Sequence, residues 1–215
     1  TQEFGTLLEQ HELEARSVVD VVSVHGRDIL IGAFVPLASF AMFHLVTIFP
    51  LGWMTLFGNQ STSTFLLVQV AGAAVGIAAI VVSGPIADMI GRRAQLFVSA
   101  ILIAAFSFLA PWLIGSGNGG QDAFVIMGFG VLGLSFGQAA GSVSSRFSLG
   151  YRYSGAALTS DLSWLIGAGF APLVALTLSS KFGLPFVGYY LLSGAICTIL
   201  ALFVSERLPV RRKDN

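Results

Sequence analysis

Charged residues are scarce in this chain of 215 residues. Asp, Glu, Lys and Arg together make up 10% of it, whereas a soluble domain typically carries about 25%. Hydrophobic residues make up 55%, and the mean hydropathy is +0.83. So few charges could not cover the surface of a soluble domain of this size, but a lipid bilayer solvates an apolar exterior. The composition therefore predicts an integral membrane protein.

Cysteine and net charge are also nearly absent. The one cysteine, Cys197, lies in an apolar run, so no intrachain disulfide can form and redox chemistry is not expected. The formal net charge of zero suggests neither nucleic acid nor an acidic partner. One cysteine and no paired histidines predict no metal site, and we expect no cofactor. Because the first 27 residues are mostly polar and residue 1 is Thr, we expect no signal peptide here and a fragment or processed chain.

Six stretches are long and apolar enough to cross a bilayer as helices. About 20 residues, each rising about 1.5 Å, are needed to cross roughly 30 Å of hydrocarbon. The stretches cover residues 29–53, 64–87, 94–114, 122–145, 157–179 and 184–205. A transmembrane barrel would instead show alternating segments of about 10 residues. We predict an all-α polytopic membrane protein with a cytoplasmic segment at 1–27, a six-helix bundle at 28–206 and a basic cytoplasmic tail at 207–215.

Lys and Arg lie almost entirely on one side of these predicted spans. Ten of the eleven fall on the side of the N-terminus, and only Lys181 falls on the other side. Because positive charge is retained in the cytoplasm, both ends of the chain are predicted to be cytoplasmic.

A motif rich in glycine and arginine lies at the cytoplasmic end of the second predicted span. The segment GPIADMIGRR carries Gly84, Asp88, Gly91, Arg92 and Arg93 in the pattern Gly-x-x-x-Asp-x-x-Gly-Arg-Arg. Its glycines allow close packing and a turn, its acid lies at the membrane boundary, and its arginines anchor the loop inside. An ordinary positive-inside loop is the alternative. The spacing resembles the loop signature of the major facilitator superfamily, found between helices 2 and 3 and again between helices 8 and 9.

Two further segments resemble one family within that superfamily. RYSGAAL followed by GAGFAPLVA opens the fifth span, and LPFVGYYLLSGA opens the sixth. They are similar to the metabolite:proton symporter family, which includes carriers for shikimate, α-ketoglutarate, citrate and proline/betaine. The chain departs from the family before the RYSGAAL segment, where an acidic residue is usual and Ser144, Ser145 and Arg146 stand instead.

The resemblance implies that the six spans are helices 7 to 12, the C-terminal half of a transporter of the bacterial inner membrane. The implied mechanism is alternating access, in which two six-helix bundles rock about a site near the midplane. The implied partners are protons, a small organic acid or zwitterionic solute, membrane lipid and the N-terminal six-helix half.

Polar side chains inside the spans are few, and they are the candidate site residues. An ionisable group in a span is costly and usually faces a cavity. His44 is a candidate cavity residue or proton carrier, and a neutral histidine bonded to a neighbouring helix is the alternative. Gln69 and Gln138 could bond a solute or another helix. Asp161 could serve the site or be an acid near the start of its helix, and Trp164 lies one turn deeper on the same face.

Glycine patterns predict how the helices pack and bend. Gly130, Gly133, Gly137 and Gly141 recur at helical spacing and predict a smooth face that a second helix can approach closely. Gly167, Gly169 and Pro172 weaken the fifth span near its middle, as in many carriers.

Two other function classes fit the sequence less well. An intramembrane serine protease needs a serine beside a histidine, but His44 is the only intramembrane histidine and no Gly-x-Ser-Gly segment occurs. We therefore expect no enzyme. A stand-alone six-span protein that assembles or interacts without transporting remains the alternative.

Overall fold

The computed structural model describes residues 18–58, 60–139, 141, 147 and 151–207. Over these residues the chain forms α-helices and no strand. The helices are α1 (Val18–Phe34), α2 (Leu37–Thr47), α3 (Phe49–Phe57), α4 (Thr62–Ile90), α5 (Arg92–Gly115), α6 (Asn118–Ala139), α7 (Arg152–Gly167), α8 (Ala171–Phe182) and α9 (Pro185–Arg207).

Six helical stretches in the described residues are long and apolar enough to cross a membrane, which confirms the predicted number of spans. They are Leu37–Phe57, Thr62–Ile90, Arg92–Gly115, Asn118–Ala139, Arg152–Phe182 and Pro185–Arg207. The all-α polytopic fold is therefore confirmed. Helix α1 runs through the boundary predicted at residue 28. The division into three parts stays a prediction, since residues 1–17 and 208–215 lie outside the described residues.

Two helix breaks carry a proline, one directly before the first span and one within it. Pro36 separates α1 from α2, and Pro50 lies in the first turn of α3, where the N–H that proline lacks would have no partner within the helix. The hydroxyl of Thr198 on α9 serves both sides of the first break. It accepts from the backbone N–H of Ala38 at 2.9 Å and donates to the carbonyl oxygen of Phe34 at 3.2 Å, which satisfies backbone groups at helix ends that water cannot reach.

Glycine and serine set several of the other helix ends. Ser61 caps α4 by accepting from the backbone N–H of Thr64 at 3.2 Å. Gly91 ends α4 with φ +88°, and Gly183 ends α8 with φ +95°. These positive φ values favour glycine because a side chain would be strained there.

Helix α2 lies at the centre of the bundle and packs against α5, α6, α7, α8 and α9. A second close contact joins α4 to α6. There a Cβ added to Gly133 would lie 2.6 Å from the Cβ of Ala79 and would collide with the carbonyl oxygen of Gly76. A Cβ added to Gly137 would lie 2.5 Å from the Oγ of Ser83. The two helices therefore pack at backbone distance.

Gly130 and Gly141 differ from the glycines at the centre of this contact. A Cβ at Gly130 would lie 3.6 Å from Val75, an ordinary van der Waals distance. A Cβ at Gly141 would lie 2.8 Å from a guanidinium nitrogen of Arg92. Among the four glycines, only Gly133 and Gly137 thus meet α4 tightly.

Candidate functional site

Four aromatic side chains from three helices meet on one side of α2. We call them the aromatic wall: Phe40 and Phe43 of α2, Phe136 of α6 and Trp164 of α7. The ring of Phe40 covers the Trp164 indole at 4.7 Å with an interplanar angle of 32°. Phe43 and Phe136 stack on each other at 5.5 Å and meet the indole edge-on, at 75° and 77°. No described ring therefore lies parallel to the second face of the indole.

His44 adjoins the aromatic wall. Its ring lies 5.6 Å from the Trp164 ring at an interplanar angle of 83°, and the residue is half-buried. The Nδ1 atom is buried and has no hydrogen-bond partner on another described helix, although the backbone of Phe40 on the same helix lies close to the ring. The alternative of a neutral histidine bonded to a neighbouring helix stays open, because this finding concerns only one of the two ring nitrogens. A buried ring nitrogen without a partner is costly unless a ligand or water satisfies it.

Asp161 lies on the side of α7 that faces away from the bundle. The buried residues of α7 are Gly155, Thr159, Ser163 and Gly167, which follow one stripe. Asp161 precedes Ser163 by two residues, about 200° around a helix at 3.6 residues per turn, and its side chain is exposed. No described residue bonds or pairs with it. It lies nine residues after the first residue of α7, about 13.5 Å at about 1.5 Å per residue, and in the first third of the stretch Arg152–Phe182.

The fifth span is interrupted directly after Trp164. Helix α7 ends at Gly167 and α8 begins at Ala171, with Pro172 in its first turn. The break predicted from the sequence is thus present. It lies beside the aromatic wall, because Trp164 precedes the end of α7 by three residues. Interrupted spanning helices are tolerated where the backbone is covered by protein or lines a cavity.

Two predicted site residues, Gln69 and Gln138, bond other helices. The Nε2 of Gln69 donates to the carbonyl oxygen of Thr47 at 2.6 Å. The Nε2 of Gln138 donates to the Oγ of Ser83 at 3.3 Å and to the Ser83 carbonyl oxygen at 3.4 Å. These bonds link α4 to α2 and α6. A role for either amide in binding a solute stays a prediction.

In the Gly-x-x-x-Asp-x-x-Gly-Arg-Arg motif, the two arginines contact other helices and the acid does not. Arg93 donates to the carbonyl oxygen of Leu202 and lies 3.3 Å from a carboxylate oxygen of Glu206, so it joins this loop to the end of α9. The guanidinium of Arg92 lies beside Gly141 at the end of α6. Asp88 is exposed, and no described residue bonds or pairs with it. A Cβ added to Gly84 would have no described atom of another residue within 4 Å.

One buried polar pair was missed from the sequence. His25 is 2% exposed, and its Nδ1 lies 3.4 Å from an Oδ2 of Asp28 on the next turn of α1. Phe147 and Tyr151 contact the histidine ring at 5.6 and 5.0 Å. The hydropathy pattern did not indicate burial here, because distant aromatic residues bury this turn. The three-residue spacing of His25 and Asp28 was the available signal.

The chain is similar to three metabolite transport proteins, although no protein-family model matches it. It is 31% identical to the inner membrane metabolite transport protein YhjE of Escherichia coli, over 86% of this chain and 44% of YhjE. Two Haemophilus influenzae proteins, provisionally named metabolite transport proteins, are 31% and 30% identical, over 92% and 88% of this chain. The chain covers 48% and 45% of those two. It therefore spans about half the length of the curated relatives it matches.

Proposed function

We propose that the chain forms the C-terminal six-helix half of a proton-coupled symporter, because it is similar to three bacterial metabolite transport proteins. The carrier belongs to the major facilitator superfamily, and its solute is a small organic acid or zwitterion. It works by alternating access, with the solute held between two halves near the midplane.

The observation that carries this function is the cluster of aromatic and titratable groups beside a broken helix. Trp164 and His44 lie in the central part of their spans, Asp161 lies one turn from Trp164 towards the start of its span, and none of the three is fully buried. A carboxylate facing lipid there would be costly, so Asp161 faces an aqueous cavity or the missing half. Carrier sites are typically built where spanning helices are discontinuous.

The partner that completes the bundle is the N-terminal half. Only 17% of the apolar membrane-crossing stretch of α4 is buried, and 33% of the stretch formed by α7 and α8. In each of the other four stretches 44% is buried. In the proposed carrier, the N-terminal half covers parts of α4 and α7 and closes the solute site, and lipid covers the remainder.

His44 is the proposed proton carrier. Its ordinary pKa lies near neutrality, and its ring adjoins the aromatic wall, with no hydrogen bond from Nδ1 to another described helix. No Lys or Arg lies inside the predicted spans. A proton on His44 would therefore supply positive charge for a carboxylate group of the solute. Proton binding and solute binding would then favour each other.

The proposed orientation places both ends of this chain in the cytoplasm of a bacterial cell, with the six spans in the inner membrane. The distribution of Lys and Arg supports it. A cysteine placed at Gly117 should react with an impermeant label in intact cells, and one at Arg92 should not. The reverse labelling pattern would overturn the orientation.

Asp88 belongs to the proposed cytoplasmic gate. Its carboxylate is exposed and unpaired among the described residues, while Arg93 is held by the end of α9. The loop is thus anchored through its arginine, and its acid remains available to contact the N-terminal half when the cytoplasmic side closes.

The test is reconstitution of the halves. Residues 1–215 alone in liposomes should not concentrate solute under an inward proton gradient. The full-length carrier, or both halves co-expressed, should do so. Accumulation by 1–215 alone, without a homodimer, would refute the half-carrier. Failure of every arrangement would instead support the stand-alone six-span protein, which the names of the relatives do not favour.

A further inference from the structure

We propose that the hydroxyl of Thr198 controls a hinge at Phe34–Ala38, between α1 and α2, and that its withdrawal lets α1 swing relative to the rest of the bundle. Thr198 is thus a positioning residue for the transport step. Only the use of this movement, to open the cytoplasmic side, rests on the proposed function, because the hinge itself belongs to this half. Three observations carry the proposal: an interrupted helix bond, the burial of the groups around it, and a helix that contacts both sides of the break.

The first observation is the interrupted helix bond. In a continuous helix the N–H of Ala38 would donate to the carbonyl oxygen of Phe34, four residues earlier. The Thr198 hydroxyl lies between these two groups, since it accepts from Ala38 at 2.9 Å and donates to Phe34 at 3.2 Å. A side chain that inserts into the helix ladder in this way causes a sharp kink. Pro36 does not forbid the direct bond, because proline removes the bond from its own position and bends the helix there.

The second observation is the burial of these groups. Thr198 is 2% exposed and Ala38 is 1% exposed. A buried N–H without an acceptor costs free energy comparable to a lost hydrogen bond. The N–H of Ala38 therefore has two favourable arrangements. In the inserted arrangement it bonds the Thr198 hydroxyl, and in the direct arrangement it bonds Phe34. Packed elements that have two discrete arrangements are the ones that switch in conformational changes.

A second hydroxyl holds the last turn of α1. The Oγ of Ser163 on α7 donates to the carbonyl oxygen of Ala33, and both residues are fully buried. This acceptor directly precedes Phe34, so side chains of α7 and α9 satisfy two successive carbonyls of one turn. Because both donors are side chains, both bonds can break while the backbone bonds within α1 and α2 persist.

The third observation is that α7 contacts both sides of the hinge. Ser163 bonds α1, whereas the ring of the next residue, Trp164, lies 4.7 Å from the ring of Phe40 on α2. One turn further along α7, a Cβ added to Gly167 would lie 3.1 Å from the carbonyl oxygen of Leu37. A solute at the aromatic wall would thus contact two of the helices that meet at the hinge. It would shift the hinge to the extent that it binds the two arrangements with different affinity.

The part expected to move is α1. Helix α2 lies at the centre of the bundle, whereas α1 packs mainly against α7 and α9. Arg27 lies nine residues before Pro36, about 13.5 Å along the helix at about 1.5 Å per residue. A change of about 20° at the kink would therefore move Arg27 by about 5 Å relative to the other helices.

The test measures distances between spin labels that both lie in this half. One pair is Arg27→Cys on α1 and Met89→Cys at the end of α4, where both residues are exposed. A second sample pairs Arg27→Cys with Trp112→Cys, exposed on α5, so that movement in a different direction is also detected. Cys197→Ala is present in every sample, and any cysteine of the N-terminal half is replaced as well.

The full-length carrier is reconstituted in lipid nanodiscs, and the distance distributions are measured by pulsed electron paramagnetic resonance. Rocking of the two halves as rigid bodies would leave both distances unchanged, because all labels lie in one half. The measurement therefore reports the hinge independently of transport.

Thr198→Val keeps the shape of the side chain and removes the hydroxyl. We expect it to raise the ratio of the direct to the inserted arrangement at least about fivefold, because the buried N–H of Ala38 loses its acceptor in the inserted arrangement alone. The added population should differ by up to about 5 Å in at least one distance. Thr198→Ser restores the hydroxyl and should give the wild-type distributions.

Thr159→Val is the matched control. Thr159 is a fully buried threonine on α7 whose hydroxyl bonds its own helix, at the carbonyl oxygen of Gly155 and 2.6 Å. Its loss should leave both distance distributions unchanged. A change equal to that of Thr198→Val would contradict the hinge, and so would a Thr198→Ser carrier that behaves like Thr198→Val.

Unchanged distributions in Thr198→Val would overturn the proposal even if the variant were less stable, since the hydroxyl would then only stabilise the fold. If Thr198→Val does not accumulate in the membrane, Ser163→Ala replaces it and should also enlarge the displaced population. Its control is Ser107→Ala, which removes a buried hydroxyl that bonds its own helix. Unchanged distributions in Ser163→Ala would then overturn the hinge. Proton-driven uptake decides the carrier function separately, whatever the hinge does.

Discussion

The contact between α4 and α6 should tolerate an added methyl group at Gly130 but not at Gly133, which lies one helical turn further along α6. In Gly133→Ala the new Cβ would lie 2.6 Å from the Cβ of Ala79 and would collide with the carbonyl oxygen of Gly76. Neither neighbour is the flexible end of a side chain, so the helices must move apart. In Gly130→Ala the new Cβ would lie 3.6 Å from Val75 and needs no movement.

The two substitutions isolate the steric cost. Both replace glycine by alanine within α6, so a gain in helix propensity of up to about 1 kcal/mol is common to both. Overpacking costs about 1–3 kcal/mol. Gly133→Ala should therefore be less stable than Gly130→Ala by about 1–3 kcal/mol.

The assay is equilibrium unfolding of the full-length carrier in mixed micelles, with the unfolding free energies of the two variants compared under identical conditions. Gly137→Ala should behave like Gly133→Ala, because its Cβ would lie 2.5 Å from the Oγ of Ser83. If Gly133→Ala were as stable as Gly130→Ala, the close contact between α4 and α6 would be wrong.

Three further predictions follow from particular residues. Thr198→Val should cost about 1–3 kcal/mol, since it leaves the N–H of Ala38 without its acceptor. Thr55→Val should cost less in the same unfolding assay, because the Thr55 hydroxyl is exposed and bonds only its own helix. Asp88→Asn should slow transport without lowering the amount of carrier in the membrane. It should shift the ratio of inward-open to outward-open carrier by roughly tenfold, which corresponds to about 1.4 kcal/mol. Normal uptake rates would show that Asp88 does not contribute to the gate. His44→Gln should flatten the rise of solute affinity at acid pH, and an unchanged pH profile would remove His44 as the proton carrier.

The spans were predictable because hydropathy reports the environment of a whole helix. The breaks at Pro36 and Pro50 were less so, and the first membrane-crossing stretch begins at Leu37 rather than near residue 29. Helix α1 precedes this stretch, and Phe147 and Tyr151 contact His25 in its polar turn. No local pattern around residues 18–28 indicates this contact.

The candidate site was predictable only in part. His44, Asp161 and Trp164 could be selected because polar groups inside a span are costly. The aromatic wall could not, since Phe40, Phe43 and Phe136 lie on helices whose relative rotation is set by packing. Among eighteen phenylalanines, nothing local distinguishes those that meet Trp164. The bonds of Gln69 and Gln138 to other helices likewise depend on which helices become neighbours.

Proton-driven uptake by the full-length carrier tests the central claim most directly. The measurement is accumulation of radiolabelled trimethylammonioacetate, tert-butylacetate, β-alanine and butyrate in proteoliposomes with an inward proton gradient. The account predicts that at least one solute accumulates above equilibrium and that a protonophore abolishes the accumulation. Trp164→Leu should abolish it as well, while Trp112→Leu should keep it. Accumulation that survives the protonophore, or that is equal in Trp164→Leu and Trp112→Leu, would contradict a proton-coupled carrier with its solute site at the aromatic wall.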